Sequence, residues 1–111
     1  VSAFYYASQS KVALEAVYDG LSRTFDLPPF EFDSHDSWRY AWSEREGLHV
    51  NVTKCRNTRI IETWDPTCPT GVNYQLVFTA PRELPAFQAT AFELLGAEVI
   101  RYGKSSGDSA A

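Results

Sequence analysis

The chain has no methionine, only two cysteines and two histidines, and no apolar run near the roughly 18 residues a membrane-spanning helix needs. Each shortage narrows the field. Cys55 and Cys68 stand alone, without the paired spacing of a zinc site. Their ordinary reading is two reduced thiols in a cytoplasmic protein. A disulfide stays open as an alternative, because both cysteines fall at the ends of expected strands. Glycine-rich phosphate loops are missing, and so is any other cofactor motif. Basic residues are outnumbered, 10 Lys and Arg against 14 Asp and Glu, for a net charge of −4. That balance argues against nucleic acid, whose phosphates need a basic surface. It suits a basic partner protein instead. The opening Val1-Ser2-Ala3-Phe4-Tyr5-Tyr6 has no basic region leading into a long apolar stretch, so no signal peptide is read, though one already removed would leave no trace. A first residue of Val and the lack of Met lead to the expectation of a trimmed start or an alternative start codon.

What is present is a well-patterned chain of 111 residues, 44% hydrophobic and 14% aromatic, enough for one domain with its own core. Residues 3–7 read as an aromatic strand. Ser8-Gln9-Ser10 offers a helix cap. Leu14, Val17, Tyr18, Leu21 and Phe25 then recur at helical spacing, and Pro28-Pro29 stops the helix. Gly20 interrupts that helix, which predicts close packing against the sheet. Phe30 to Asp33 alternates briefly. Trp38, Tyr40 and Trp42 alternate with polar or small residues, and Leu48, Val50 and Val52 return after the Glu44-Arg45-Glu46-Gly47 loop, which predicts a hairpin. Arg59 to Trp64 is β-branched and predicts a further strand. A loop punctuated by Pro66, Pro69 and Gly71 follows, then a strand over 73–79. The second helix carries Leu84, Phe87, Ala91, Leu94 and Leu95 on one face, Pro85 in its first turn and Gly96 at its end. Residues 97–102 read as the last strand.

This order predicts an α+β fold, a ferredoxin-like split βαβ sandwich with an extended central block of antiparallel strands. Right-handed crossovers place both helices on one sheet face. Residues 1–103 form the single domain, and 104–111 a flexible tail. Leu14, Leu21, Val50, Val52, Leu76, Phe78, Phe87 and Leu94 are the expected core. The sheet face without helices is left open and is where function is expected.

Catalytic chemistry finds little support. Asp33, His35 and Asp36 are the one dense cluster of metal-ligand types, but beside Ser34 and Ser37 they read as an ordinary polar turn. His49 points away from Leu48 and Val50, towards the open face. Cys68, between two prolines, reads as exposed, yet nothing in the sequence sets a histidine beside it. Asn51-Val52-Thr53 matches a glycosylation sequon that short chance alone accounts for. No catalytic, cofactor or metal residue is therefore assigned.

The acidic loops and large aromatics are the stronger lead. Glu44 and Glu46 at the hairpin tip, with Arg59, Trp64 and Asp65, are the expected partner-binding residues. Trp38 and Trp42 are expected to be mainly core. The stretch Trp64-Asp65-Pro66-Thr67-Cys68-Pro69-Thr70-Gly71-Val72-Asn73-Tyr74 has the look of a family signature. In size, acidity and scarcity of motifs, the chain is similar to the small α+β immunity partners of bacterial toxin systems. That resemblance carries no residue role. It implies a non-enzymatic module that neutralises a basic toxin domain. The alternative is a small-molecule-binding or enzymatic domain that uses the open sheet face or a dimer cleft, and the same open face leaves room for a homodimer.

Overall fold

The computed structural model describes residues 1–35, 37–56 and 58–106. Asp36, one of the candidate ligands above, and residues 107–111 of the expected tail lie outside them. The elements are β1 (Ser2–Ser8), α1 (Leu14–Phe25), β2 (Glu31–Ser34), β3 (Trp38–Arg45), β4 (Leu48–Cys55), α2 (Thr58–Glu62), β5 (Tyr74–Ala80), α3 (Pro85–Leu95) and β6 (Val99–Ser106). They build an α+β fold around one six-stranded sheet of order β2-β3-β4-β5-β1-β6, antiparallel at every pairing.

Strand alternation gives the sheet two unlike faces. Phe4 and Tyr6 of β1, Val50 and Val52 of β4, and Leu76 and Phe78 of β5 are all buried in one cluster with Leu14, Val17 and Leu21 of α1 and Phe87, Ala91 and Leu95 of α3. Helices α1 and α3 therefore share one face, as the periodicity predicts. Phe87 is the keystone: its ring lies 5.1 Å from Tyr6, 4.8 Å from Phe78 and 5.7 Å from Phe25. Of the eight expected core residues, Leu94 alone is only partly buried.

Leu94 also explains Gly20. A Cβ at Gly20 would stand 2.3 Å from Leu94 Cδ2, so the glycine admits α3 rather than the sheet. Other local signals act differently from their expected roles. Helix α1 begins after Ala13, with no side-chain cap. Ser10 instead donates its hydroxyl to Leu95 O at 2.6 Å and accepts the Val12 N–H, tying β1's exit to the end of α3. Pro85 occupies the first turn of α3, and Gly96 ends it in the left-handed conformation (φ 62°). The β3–β4 hairpin closes over Glu46 and Gly47, the latter at φ 79°.

Two segments depart from the sequence pattern. The expected strand over Arg59–Trp64 is helix α2 followed by a turn. Adjacent Ile60 and Ile61 would point to opposite sides of a strand. A helical turn instead buries Thr58 and Ile61, three positions apart, on one side. The Thr58 hydroxyl fixes the start of that turn, donating to Val72 O and accepting Val72 N–H, each at 2.7 Å. The second departure is at the C-terminal end. Residues 104–106, expected in the tail, belong to β6 and pair with the start of β1, Ala3 with Ser105 and Ser2 with Ser106.

Candidate functional site: the open sheet face

The face away from α1 and α3 is partly covered. Ile61 of α2 packs with Ala7, Cys55, Cys68 and Val72 in a second, smaller cluster, against which Trp38 and Tyr102 also rest. The segment after α2 is tied down by a polar network. Asp65 Oδ2 accepts the Tyr102 hydroxyl at 2.6 Å and Gln75 Nε2 at 2.9 Å. Its Oδ1 accepts the Thr67 hydroxyl at 2.6 Å and backbone N–H at 3.1 Å. Gln75 Oε1 in turn accepts the Trp64 indole N–H at 2.9 Å. Burial alone would raise the Asp65 carboxyl, but hydrogen bonds from Thr67, Tyr102 and Gln75 outweigh it and hold the group below the usual carboxylate range. Both oxygens are thus engaged within the fold.

Beyond this cover the sheet is open. Trp64, 43% exposed, walls a shallow cavity of about 420 Å³ floored by Tyr5, His49, Asn51, Val77 and Thr79. Further along, Trp38, Tyr40 and Trp42 project from the same face, half-buried. His35 stacks on Trp38 at 4.5 Å and lies 5.9 Å from Tyr40, while Trp38 meets Trp64 at 5.5 Å. An aromatic band therefore runs from α2 across β3. The expectation that Trp38 and Trp42 are core is corrected: β3 shows its small residues, Ala41 and Ser43, to the helices and its large rings to the other side.

Charge is sorted by face as well. Among strand residues, the acids are Glu31, Asp33 and Glu44, and the pairings Glu31 with Trp42, Asp33 with Tyr40 and Glu44 with His49 put all three on the open face. The strand bases are Arg39, Arg45, Lys54, Arg101 and Lys104. All five turn to the helix side: Arg39 reaches Glu15 of α1 at 2.6 Å, Arg45 donates to Phe25 O, Lys54 to Val12 O, Arg101 bonds Glu83, and Lys104 lies over the Phe4 ring.

The five expected partner-binding residues divide between two places. Trp64 and Asp65 sit together by the cavity, and exposed Arg59 lies on α2. Glu44 and Glu46, both exposed, lie at the far end of β3, with Glu44 about 20 Å along the strand from Trp38 at roughly 3.3 Å per residue. The sequence reading missed Glu31 beside the aromatic band; Asp33 was expected among loop acids able to reach a basic partner, and it lies instead on β2 across from Tyr40. Their alternation with Phe32 was visible, but the register that sets them beside Tyr40 and Trp42 was not. Cys68, expected exposed, is buried with Cys55, and both are free thiols. Burial pushes the Cys55 thiol up to about 12, with a smaller contribution from Cys68. His35 lies 4.0 Å from Asp33, and among the described residues no three His, Cys, Asp or Glu side chains gather as a metal site.

No protein-family model, curated protein or solved structure matches the chain. Among the described residues, no helix is long and apolar enough to cross a membrane.

Proposed function

We propose that this protein is a non-catalytic protein-binding module that docks a basic partner on its open sheet face. The observation that carries the reading is the sorting of charge. Three carboxylates and no Lys or Arg project from the strands on that face, around a half-buried aromatic band. Such a surface steers a basic partner during encounter, and its rings anchor the complex once water is expelled. A basic toxin domain is a partner of this chemistry, which keeps the immunity role as the specific form of the proposal. The frame is proposed to be ferredoxin-like, with a β2–β3 hairpin added at one edge and α2 added over the open face. The inner order β4-β5-β1-β6, with α1 and α3 as crossovers, supports it.

The cavity beside Trp64 favours a second reading, a small polar ligand held over His49 and Asn51. It counts for less, because the nearby Asp65 has its acceptor capacity filled and is poorly placed to move a proton. A homodimer formed face to face would bring two sets of three carboxylates together, so the open face favours a different, basic partner.

The test is capture from cells followed by salt titration. The expected result is a basic protein retained by the wild type, released at high salt, and lost with the triple variant E31Q/D33N/E44Q. R23Q, on the exposed side of α1, serves as control and should retain it. Capture indifferent to the open-face variant would refute the proposal.

A further inference from the structure

A second cavity lies at one end of the sheet, apart from the aromatic band's acidic fringe. It forms where β1 and β4 end and β3 and β5 begin, and measures about 590 Å³. Its lining includes Lys11, Arg39, Lys54 and Arg56, four of the ten Lys and Arg residues, together with His35. Among the described residues, no Asp or Glu lines it. In a chain of net charge −4, Lys11 and Lys54 bring two ammonium groups to one cleft, against the overall sign.

The cleft is also built rigidly. Asn73, ahead of β5, clamps both backbone groups of Ser10: its Oδ1 accepts the Ser10 N–H at 2.9 Å and its Nδ2 donates to Ser10 O at 2.8 Å. The backbone that presents Lys11 is therefore fixed. Lys54 Nζ donates to Val12 O at 3.0 Å and lies 5.6 Å from the Tyr74 ring, so one of its three N–H donors is used and its position is set. Arg39 is different. Its guanidinium is balanced by Glu15, at 2.6 and 3.4 Å, and serves as a brace at the edge of the cleft. Trp38, stacked with His35, supplies an aromatic wall.

We propose that this cleft binds a small phosphorylated ligand that also carries a planar or apolar group, of the size and type of a nucleoside monophosphate. Point-charge ammonium groups from separate elements suit the several oxygens of a phosphate. The aromatic wall suits a ring, since stacking on indole or imidazole tolerates many bases. The volume falls within the range of ordinary small-molecule sites and far exceeds the needs of a bare ion. The site shares Trp38 and His35 with the aromatic band of the open face, but its charged groups, Lys11 and Lys54, are of opposite sign to the open-face carboxylates and none of those carboxylates lines it.

The test is a titration of the purified protein, followed by backbone amide NMR, with AMP, inorganic phosphate, adenosine and citrate as separate probes. The expected result is saturable shifts from AMP at Ser10, Lys11, Lys54 and Arg56, weaker ones from inorganic phosphate, and none that saturate with adenosine. K11Q, an exposed change with no bearing on the core, should weaken AMP about tenfold, the loss of one charge-assisted contact. K54Q should do the same, with a thermal melt to show that it folds, and R23Q should leave binding unchanged. Three results would overturn the proposal: no saturable AMP binding at millimolar concentration, binding indifferent to K11Q, or citrate binding as tightly as AMP.

Discussion

The two faces of the sheet come from the same strands, yet they are held by different physics. The helix face is apolar. Leu14, Val17 and Leu21 meet Val50, Val52 and Leu76, and Phe87 fills the centre. Basic side chains bound that face, with Arg101 and Lys104 each 5.8 Å from the Phe4 ring. The open face has only a small apolar cluster at one end, a polar clamp through Asp65, and then exposed rings and carboxylates. One pleat thus packs one side against the helices and leaves much of the other side exposed.

If that division is right, the cost of truncation should depend on the face. Phe87→Ala removes a fully buried ring from the helix face and should cost about 3–5 kcal/mol. Tyr5→Ala, on the open face, should cost about 1 kcal/mol, since its ring is only half-buried and its hydroxyl contact with Ser105 is long, at 3.4 Å. Urea unfolding of both variants measures the difference. Equal losses would break the comparison.

A sharper version lies where the helices touch. On propensity alone, Gly20→Ala should stabilise α1 by about 1 kcal/mol. The new methyl would collide with Leu94, so the expected net effect is a loss of about 1–3 kcal/mol. Leu94→Ala in the same chain should remove most of that penalty, leaving a coupling that a double-mutant cycle reads directly. A stabilised single variant would show that α3 yields at this point.

On the open face, the comparable test is polar. Tyr102→Phe takes one hydrogen bond from Asp65 and should cost about 1–2 kcal/mol. It should also change the acid response. The folded-state pKa of Asp65 is depressed, so its contribution is present above the unfolded carboxylate value of about 3.9 and is lost as pH falls through the lower folded value. Below pH 4 the wild type should therefore lose more stability than Tyr102→Phe, whose Asp65 is less depressed. Parallel acid titrations would count against the clamp.

The sequence disclosed the helix face better than the open one, and for a physical reason. Apolar spacing reports burial against helices directly, so Leu14 to Phe25 and Leu84 to Leu95 were legible as faces. Period two also separated Val50 and Val52 from His49 and Asn51. On the open face the informative facts are pairings between strands distant in sequence. Glu31 beside Trp42, or Asp65 beneath Tyr102, depends on register and on a loop's return, neither of which leaves a local pattern. Helix α2 was hidden for a related reason. Its β-branched residues favour a strand, and the buried contacts of Ile61 with Cys55 and Val72 override that preference.

The smallest expected effect on stability is the one most specific to function. Glu31 is directly across from Trp42, one alternate position from Glu44 on β3, so the two residues are diagonal neighbours whose backbones are roughly 7–8 Å apart. Their repulsion, screened by water and salt, costs the folded chain only a few tenths of a kcal/mol. Glu31→Gln should therefore raise the melting temperature slightly while slowing association with a basic partner. Glu83→Gln on the other face should do the reverse. It weakens bonds from Tyr6 at 2.8 Å and from Arg101 at 3.0 and 3.1 Å, should cost about 1 kcal/mol, and should leave association unchanged. Opposite signs in stability and binding are what a surface kept for a partner produces, since its charges are selected against the isolated fold. Calorimetric melting and stopped-flow association on the two variants would measure both quantities. If Glu31→Gln destabilises the protein as Glu83→Gln does, the open-face acids belong to the fold, and the charge sorting loses its functional meaning.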